Sequence, residues 1–348
     1  MARLTAERET PPGGDRRRRL EDDARAFEVR LAEFMSASTG RETTISGLQR
    51  VSGGMSREAW LFETSTGNEP GKTDAYVAMR TARAGLLASD LDAEFRLLQS
   101  LQGSPLPVPG VRWFDDGQAL DRPTMIMVRS PGRSDHRGAE AGDRDAIRAE
   151  FLTHLVTLHS IAPASVDAPG ERVERSDAAV RELRRWSDAL EAADGWRHPA
   201  AAEICRWLSA NAPVAERLSI VHGDYRYGNF LHEGATISAI LDWELAHVGD
   251  PVEDVVWAYR PFRRGTAPNL PFDAWVRAYE RASDTTLDPK VVAFYRILAE
   301  LKTAAIYLTG LKALAGSADA DVAAAVPGHL VPCCLRQALL WIDELEAA

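Results

Sequence analysis

The spacing of apolar and polar positions along the chain changes near residue 130. Before that point, short apolar runs such as residues 59–62 and 124–128 are bounded by turn-forming residues, and residues 45–64 as a whole are typical of two β-strands joined by a glycine-rich turn. Beyond it, apolar residues recur every three to four positions, as at Ile147, Phe151 and Leu155, which is typical of amphipathic helices. The pattern predicts an α+β protein with a strand-rich first part and a mainly helical second part.

Residues 219–259 contain most of the candidate chemistry. Two short apolar strands are predicted here; the first ends just before Asp224, and the second runs up to Asp242. Asn229 lies in the loop between them. Because polar groups at strand ends often share a pocket, we expect these three side chains to lie together. Carboxylate and carboxamide oxygens suit Mg²⁺ better than Zn²⁺, which prefers His and Cys.

The order of these groups resembles a kinase motif, with His-Gly-Asp ending at Asp224, then Asn229, then Asp-Trp-Glu beginning at Asp242. The chain resembles the aminoglycoside phosphotransferase and choline kinase-like family. Residues 241–257 resemble the subgroup associated with acyl-CoA dehydrogenases. The resemblance implies a two-lobed protein-kinase-like fold and transfer of a phosphoryl group from ATP or GTP, with Mg²⁺, to a hydroxyl group. It also implies that Asp224 is the catalytic base and that Asn229 and Asp242 hold Mg²⁺.

Two further residues take supporting roles by the same resemblance. Asp254, near the start of the helix that follows Gly249-Asp250-Pro251, resembles the buried aspartate that braces the catalytic loop. His222 is interpreted as a packing residue behind the loop. A lone aspartate at a strand end is more often a turn or cap residue, so the kinase interpretation depends on all the groups occurring in order.

A glycine-containing turn between two predicted strands is the candidate phosphate loop. Glycine lets backbone N–H groups approach phosphates closely, although a Gly-Gly hairpin is also common without any ligand. The residues of this turn are Ser52, Gly53, Gly54, Met55 and Ser56.

The remaining nucleotide contacts are assigned by position. Arg80 ends a predicted strand where the resemblance implies a phosphate-binding lysine, and an arginine fork is not equivalent to that compact charge. Glu94, in the predicted helix over residues 91–101, is expected to orient Arg80. Met127 and Arg129 fall in the connector between the lobes, where the backbone would bind adenine.

Composition argues against a nucleic-acid-binding protein and a membrane protein. A formal net charge of −10 argues against non-specific nucleic-acid binding. No apolar run has membrane-spanning length, and the first residues lack the apolar core of a signal peptide, so we expect a cytoplasmic protein without a membrane partner. Three cysteines, Cys205, Cys333 and Cys334, form no metal-binding pattern. The oligomeric state is not readable from the sequence.

The length of 348 residues suits two lobes around a cleft. Residues 1–19, rich in proline, glycine and arginine, are predicted to be a mobile tail. Residues 20–129 form the predicted nucleotide-binding lobe. Residues 130–348 form the predicted catalytic and acceptor-binding lobe.

The acceptor is a small-molecule hydroxyl whose identity stays open. Arginines beside aromatic residues favour an anionic, partly apolar acceptor such as a hydroxyacyl-CoA over a polycationic aminoglycoside. These residues are Arg226, Arg260, Arg263, Arg264, Tyr225, Tyr227, Trp257, Tyr259 and Phe262. The alternatives are an aminoglycoside-type phosphotransferase and a non-catalytic nucleotide-binding protein, which Arg80 favours. A protein kinase is disfavoured because no activation loop fits between Asp242 and Gly249.

Overall fold

The computed structural model describes residues 12–51, 57–66, 73–82, 90–134, 141–195, 198–260, 270–316 and 326–347. Its first part is built on a five-stranded antiparallel sheet with the strand order β1-β2-β3-β5-β4. The strands are β1 (Thr43–Val51), β2 (Arg57–Thr66), β3 (Thr73–Thr81), β4 (Val111–Asp116) and β5 (Pro123–Val128). The predicted boundary between the lobes, after Arg129, lies one residue beyond the end of β5.

One helix covers each face of this sheet. Helix α1 (Pro12–Thr39) precedes β1, and helix α2 (Leu91–Leu101) connects β3 to β4. Asp90 caps α2, since its side chain accepts a hydrogen bond of 3.0 Å from the N–H of Ala93. The predicted limits of α2 are confirmed.

Strand alternation divides the sheet residues between two cores. Ile126 packs with Phe27 of α1, whereas its neighbours Met125 and Met127 pack with Leu97 of α2. Successive side chains of a strand point to opposite faces, so each strand contributes to both cores. This alternation decides which charged residues can face the second part of the molecule.

The start of α1 corrects the predicted tail. The helix begins at Pro12, so residues 12–19, which were predicted to be mobile, are helical. Proline is favoured in the first turn of a helix, and the arginines at 16–19 have high helix propensity. A segment that is poor in apolar residues can therefore extend a helix whose later turns pack on the sheet.

The second part is mainly helical, as predicted. Its helices are α3 (Ala141–Ser160), α4 (Ala178–Ala192), α5 (Pro199–Ala210), α6 (Val252–Ala258), α7 (Phe272–Ser283), α8 (Pro289–Gly316) and α9 (Val331–Glu346). Short 3₁₀ turns lie at Pro163–Ser165 and Val326–Leu330. None of the helices in the described ranges combines the length and apolar character that a membrane span requires.

Two small antiparallel ribbons lie among these helices. Strand β6 (Ser219–Val221) pairs with β9 (His247–Gly249), and β7 (Phe230–Glu233) pairs with β8 (Thr236–Ile240). The predicted strands around Ile220, Phe230 and Ile237 are confirmed. Strand β9 was not predicted, because its one apolar residue, Val248, lies between a histidine and a glycine and forms no apolar run.

Candidate active site

The loop after β6 is held in place from behind by Asp254. One oxygen of this fully buried carboxylate accepts the N–H of His222 at 2.6 Å, and the other accepts the N–H of Gly223 at 3.0 Å. The φ angle of Gly223 is 79°, and a Cβ atom there would lie 2.6 Å from the carbonyl oxygen of Leu245. Only glycine fits this position. The structure therefore shows the bracing contacts that the resemblance implied for Asp254.

His222 packs behind the loop and does not face the cleft. Its Nδ1 accepts the N–H of Asp224 at 3.2 Å, and its Nε2 lies 3.0 Å from the carbonyl oxygen of Leu241. Burial lowers the pKa of His222, while the negative charge of Asp254 opposes that change. The side chain links the two strand ends and is not a base exposed to substrate.

Three donors converge on the carboxylate of Asp224. Trp257 Nε1 donates to Oδ1 at 2.7 Å, Arg226 Nε donates to Oδ2 at 2.9 Å, and Asn229 Nδ2 donates to Oδ2 at 2.5 Å. Because all three groups are donors to the same carboxylate, they fix its orientation. Asp224 and Asn229 thus lie together as the sequence predicted.

Asp242 lies at the end of β8 in a left-handed backbone conformation, with φ of 67°. The preceding residue is tied to the catalytic loop, since Leu241 donates its N–H to the carbonyl oxygen of Asn229 at 2.6 Å. Asp242 is open to solvent in the cleft, but protein atoms surround it densely. Desolvation, with the negative charges of Glu244 and Asp224, raises its pKa to about 8, against the lowering effect of Arg226.

The charges around this centre fit a divalent cation. Four carboxylates influence one another here, those of Glu94, Asp224, Asp242 and Glu244, whereas the arginines that contact them are Arg57 and Arg226. An excess of closely spaced negative charge with oxygen donors is the environment that Mg²⁺ prefers. Asn229 and Asp242 are the residues that would hold it.

The predicted pairing of Glu94 with Arg80 is wrong. Glu94 forms its ion pair with Arg57 at the start of β2, and the Nε atom of Arg57 also lies 3.5 Å from Glu244 Oε2. Arg80 lies on the other face of the sheet. Its neighbours Met79 and Thr81 share the face of Arg57, and successive side chains of a strand point to opposite faces.

Arg80 belongs to the contact between the sheet and α1. Its guanidinium carbon lies 4.2 Å from the ring centroid of Phe27, and its Nη1 lies 4.0 Å from Asp23 Oδ2. The side chain is buried, and desolvation together with the nearby charge of Arg122 lowers its pKa to about 10. In this structure Arg80 has no path to a nucleotide in the cleft.

The other predicted nucleotide contacts are only partly visible. Ser52, Gly53, Gly54, Met55 and Ser56 lie outside the described residues. The side chain of Met127 is buried in the core beneath α2, and the N–H of Arg129 donates to the carbonyl oxygen of Ala75 at 2.9 Å. The backbone contact of this connector with adenine stays a prediction.

The aromatic residues expected beside the acceptor divide between the core and the site. Tyr225 and Tyr227 pack against Phe151 inside the molecule, with ring centroids 4.5 Å and 4.2 Å away. Trp257 remains at the site through its bond to Asp224. Segment 261–269, which includes two of the predicted arginines, lies outside the described residues.

Arg260 was also expected to face the acceptor. It instead pairs with both oxygens of Glu300, at 2.5 Å and 2.9 Å. A bidentate pair of this kind holds the guanidinium in one orientation. Its charge is therefore balanced within the protein.

The sequence did not reveal that Trp257 donates to Asp224 or that Arg57 pairs with Glu94 and Glu244. It also assigned Arg226 to the acceptor site, whereas Arg226 donates to Asp224. Trp257 and Arg57 each act through a contact with a residue on a different strand, helix or loop, and neither occupies a position in the catalytic motif that the sequence singled out. An arginine two residues after the proposed base was the one available signal. Its spacing places it within reach of the carboxylate at Asp224.

Comparison with known proteins shows the family of the chain. Residues 47–325 match the model of the phosphotransferase enzyme family. The chain belongs to that family. It is 30% identical over 197 residues to mouse acyl-CoA dehydrogenase family member 10, in a match that covers 53% of this chain but only 18% of the mouse protein.

Solved structures show the same kinase-like fold. A presumed aminoglycoside phosphotransferase from Ralstonia eutropha aligns with a TM-score of 0.71 and 22% identity over 90% of this chain and 98% of its own. An aminoglycoside phosphotransferase in ternary complex with ADP and hygromycin B aligns with a TM-score of 0.55 and 17% identity over 88% of this chain and 98% of its own. At these identities the likeness concerns the fold.

Proposed function

We propose that this chain is a small-molecule kinase that transfers the γ-phosphoryl group of a Mg-nucleotide to a hydroxyl group. The observation that carries the proposal is the convergence of Trp257, Arg226 and Asn229 on the carboxylate of Asp224, next to Asp242. Phosphoryl transfer requires mainly positioning and neutralisation of charge, and this small set of groups supplies both.

Asp224 acts as the base in this proposal. The acceptor oxygen forms a bond to the γ-phosphorus, the bond from that phosphorus to the bridging β–γ oxygen breaks, and the acceptor proton passes to the Asp224 carboxylate. Trp257 and Asn229 keep the carboxylate oriented toward the hydroxyl group. Arg226 places a guanidinium where negative charge develops on the transferred group. Bound through Asn229 and Asp242, Mg²⁺ would neutralise the phosphate oxygens.

For the acceptor we favour an anionic, partly apolar molecule such as a hydroxyacyl-CoA. A polycationic acceptor would need carboxylates that are not already balanced, and Glu300, on the helix that packs beside Trp257, is bound at both oxygens by Arg260. The similarity to acyl-CoA dehydrogenase family members supports the same choice. An aminoglycoside remains the second candidate because solved relatives with this fold bind hygromycin B and streptomycin.

The test is transfer of labelled phosphate from [γ-³²P]ATP with Mg²⁺ to four acceptor classes: hydroxyacyl-CoAs, aminoglycosides, choline-like amines and simple sugars. Asp224→Asn is the matched control, because it keeps the shape of the side chain and removes its basicity. We expect labelled hydroxyacyl-CoA with the unaltered protein and a loss of at least about 100-fold in the variant. Nucleotide affinity should change little.

Each other outcome has a definite meaning. If only an aminoglycoside is labelled, the acceptor is an aminoglycoside and not a hydroxyacyl-CoA, while the proposed phosphoryl transfer stands. A near-normal rate with Asp224→Asn would show that another group is the base. Binding of ATP without transfer to any class would favour a non-catalytic nucleotide-binding protein.

A further inference from the structure

Arg57 and Arg80 lie on adjacent strands but on opposite faces of the N-terminal sheet. In the β2–β3 register Arg57 is directly opposite Thr81, whereas Arg80 is directly opposite Glu58. Residues directly opposite one another in an antiparallel pair point to the same face. Arg57 therefore shares a face with Thr81, and Arg80 shares the other face with Phe27 of α1.

The Arg57 side chain joins the N-terminal sheet to the catalytic centre. It forms ion pairs with Glu94 on α2 and with Glu244, which follows Asp242 by two residues. The side chains of the three partners are 6%, 7% and 13% exposed. A guanidinium presents several donors in a fixed plane, so it can hold two carboxylates and a further anion together.

The pKa of Glu94 depends on the charge of Arg57. Burial raises the pKa of Glu94, and the negative charge of Glu244 raises it further, while the charge and hydrogen bond of Arg57 lower it. Arg57 therefore favours the charged form of Glu94.

The position of Arg57 in the chain leads to the same place. It follows Ser56 directly, so β2 begins at the residue after the predicted phosphate loop. Arg57 is therefore adjacent in the chain to the residues whose backbone is predicted to contact the phosphates. By contrast, Arg80 is enclosed by the contact between α1 and the sheet.

We propose that Arg57, on β2, supplies the cation that contacts the nucleotide phosphates in this protein, in place of a basic residue on β3. Glu94 and Glu244 orient its guanidinium, and Arg80 serves only the packing of α1. The inference rests on the proposed function and adds to it the side chain that recognises the phosphates.

The test compares binding of Mg-ADP with binding of adenosine, measured by titration calorimetry. The ratio of the two affinities isolates the contribution of the phosphates. In Arg57→Met we expect ADP binding to weaken about 10- to 100-fold, as for loss of a charged hydrogen-bonding partner, while adenosine affinity is unchanged. Arg80→Met is the matched control, and its ADP-to-adenosine ratio should equal that of the unaltered protein.

A double variant returns the charge to the same face of the sheet. Position 81 is directly opposite position 57, so Arg57→Met with Thr81→Lys should recover a large part of the ADP affinity. This variant also restores a cation near Glu94 and Glu244. If Arg57→Met alone does not fold, the double variant is used to test the inference.

Three results would overturn the inference. In the first, Arg57→Met keeps the normal ADP-to-adenosine ratio; in the second, Arg80→Met loses it. In the third, the double variant binds ADP no better than adenosine. In each case the unaltered protein still binds ADP, so the proposed function stands. If the unaltered protein binds neither compound, the proposed function itself fails.

Discussion

Single side chains decide the geometry of Asp224. Its carboxylate has no freedom to rotate, because the indole of Trp257, the guanidinium of Arg226 and the carboxamide of Asn229 each donate to it. The Trp257 indole is itself fixed, since the ammonium of Lys302 lies 4.2 Å from its ring centroid. Activity should therefore depend on Trp257 even though tryptophan is no part of the kinase motif.

Trp257→Phe keeps an aromatic ring in the same place and removes the donor to Asp224. We expect kcat to fall about 10-fold because a hydrogen bond to a charged group is lost, while the KM for ATP is unchanged. Steady-state kinetics with the acceptor that the phosphate-transfer experiment selects measures both constants. Trp275→Phe is the matched control, since its indole donates to the carbonyl oxygen of Val255 at 2.8 Å. An equal fall of kcat in that variant would show a general loss of packing.

At the scale of elements, a buried ionic cluster connects α4, β9, α6 and α8. His247 Nε2 lies 3.5 Å from Glu182 and 3.3 Å from Glu253, and Lys302 Nζ lies 3.0 Å from Glu253. Lys302 also donates to the carbonyl oxygen of Gly223 at 2.5 Å, so the cluster supports the catalytic loop.

Three side chains of this cluster, Glu182, His247 and Glu253, offer ligand atoms within 4.8 Å of one another, close enough to hold a metal. Lys302 balances Glu253, and Arg185 lies 3.6 Å from Glu182. Burial alone would raise the pKa of Glu253, but Lys302 and His247 lower it to about 2. We interpret the cluster as ion pairs that are complete without a metal.

His247 should make the stability of the protein depend on pH. Burial and the charge of Arg185 lower the pKa of His247, but Glu182 and Glu253 raise it to about 9, above the ordinary 6.5. Its contribution to stability is therefore complete below pH 6.5 and is lost as the pH rises through 9.

Urea unfolding of the unaltered protein and of His247→Gln between pH 6 and 9.5 measures this effect. The difference in free energy of unfolding should be on the order of 2–3 kcal/mol at pH 6 and should shrink toward pH 9.5. His198→Gln, at an exposed position before α5, is the control and should show no such trend. A difference that is constant across the range would contradict the prediction.

At the scale of the whole molecule, one core crosses the division between the lobes. Leu97 of α2 and Met127 of β5 belong to the same buried cluster as Phe151 of α3 and Ile240 of β8. Because the core is shared, the sheet and the helices should not unfold independently.

We predict a single unfolding transition in scanning calorimetry, with equal calorimetric and van't Hoff enthalpies. Phe62→Ala removes a side chain from the core under α1, and Phe294→Ala removes one from the helical core. Each should cost about 3–5 kcal/mol and lower the same transition. Two transitions, each lowered by one variant only, would show that the lobes unfold separately.

Much of the fold could be predicted from the sequence, and so could the grouping of Asp224, Asn229 and Asp242. The limits of α2 and the strands that end near Asp224 and Asp242 follow from apolar spacing, which is a local property of the chain. The spacing of Asp224, Asn229 and Asp242 constrained their relative positions, because short strands and a short loop leave few ways to separate them.

Tertiary structure alone decided which cation pairs with Glu94 and Glu244. The sequence pointed to Arg80, but the side chains of a strand alternate between the two faces of the sheet, and a shift of one residue moves a charge from one face to the other. The pairing of β2 with β3 placed Arg57 opposite Thr81 and next to Glu94, and the packing of α1 enclosed Arg80. Periodicity gives the spacing of residues on a face, whereas the face that is buried depends on what packs against it.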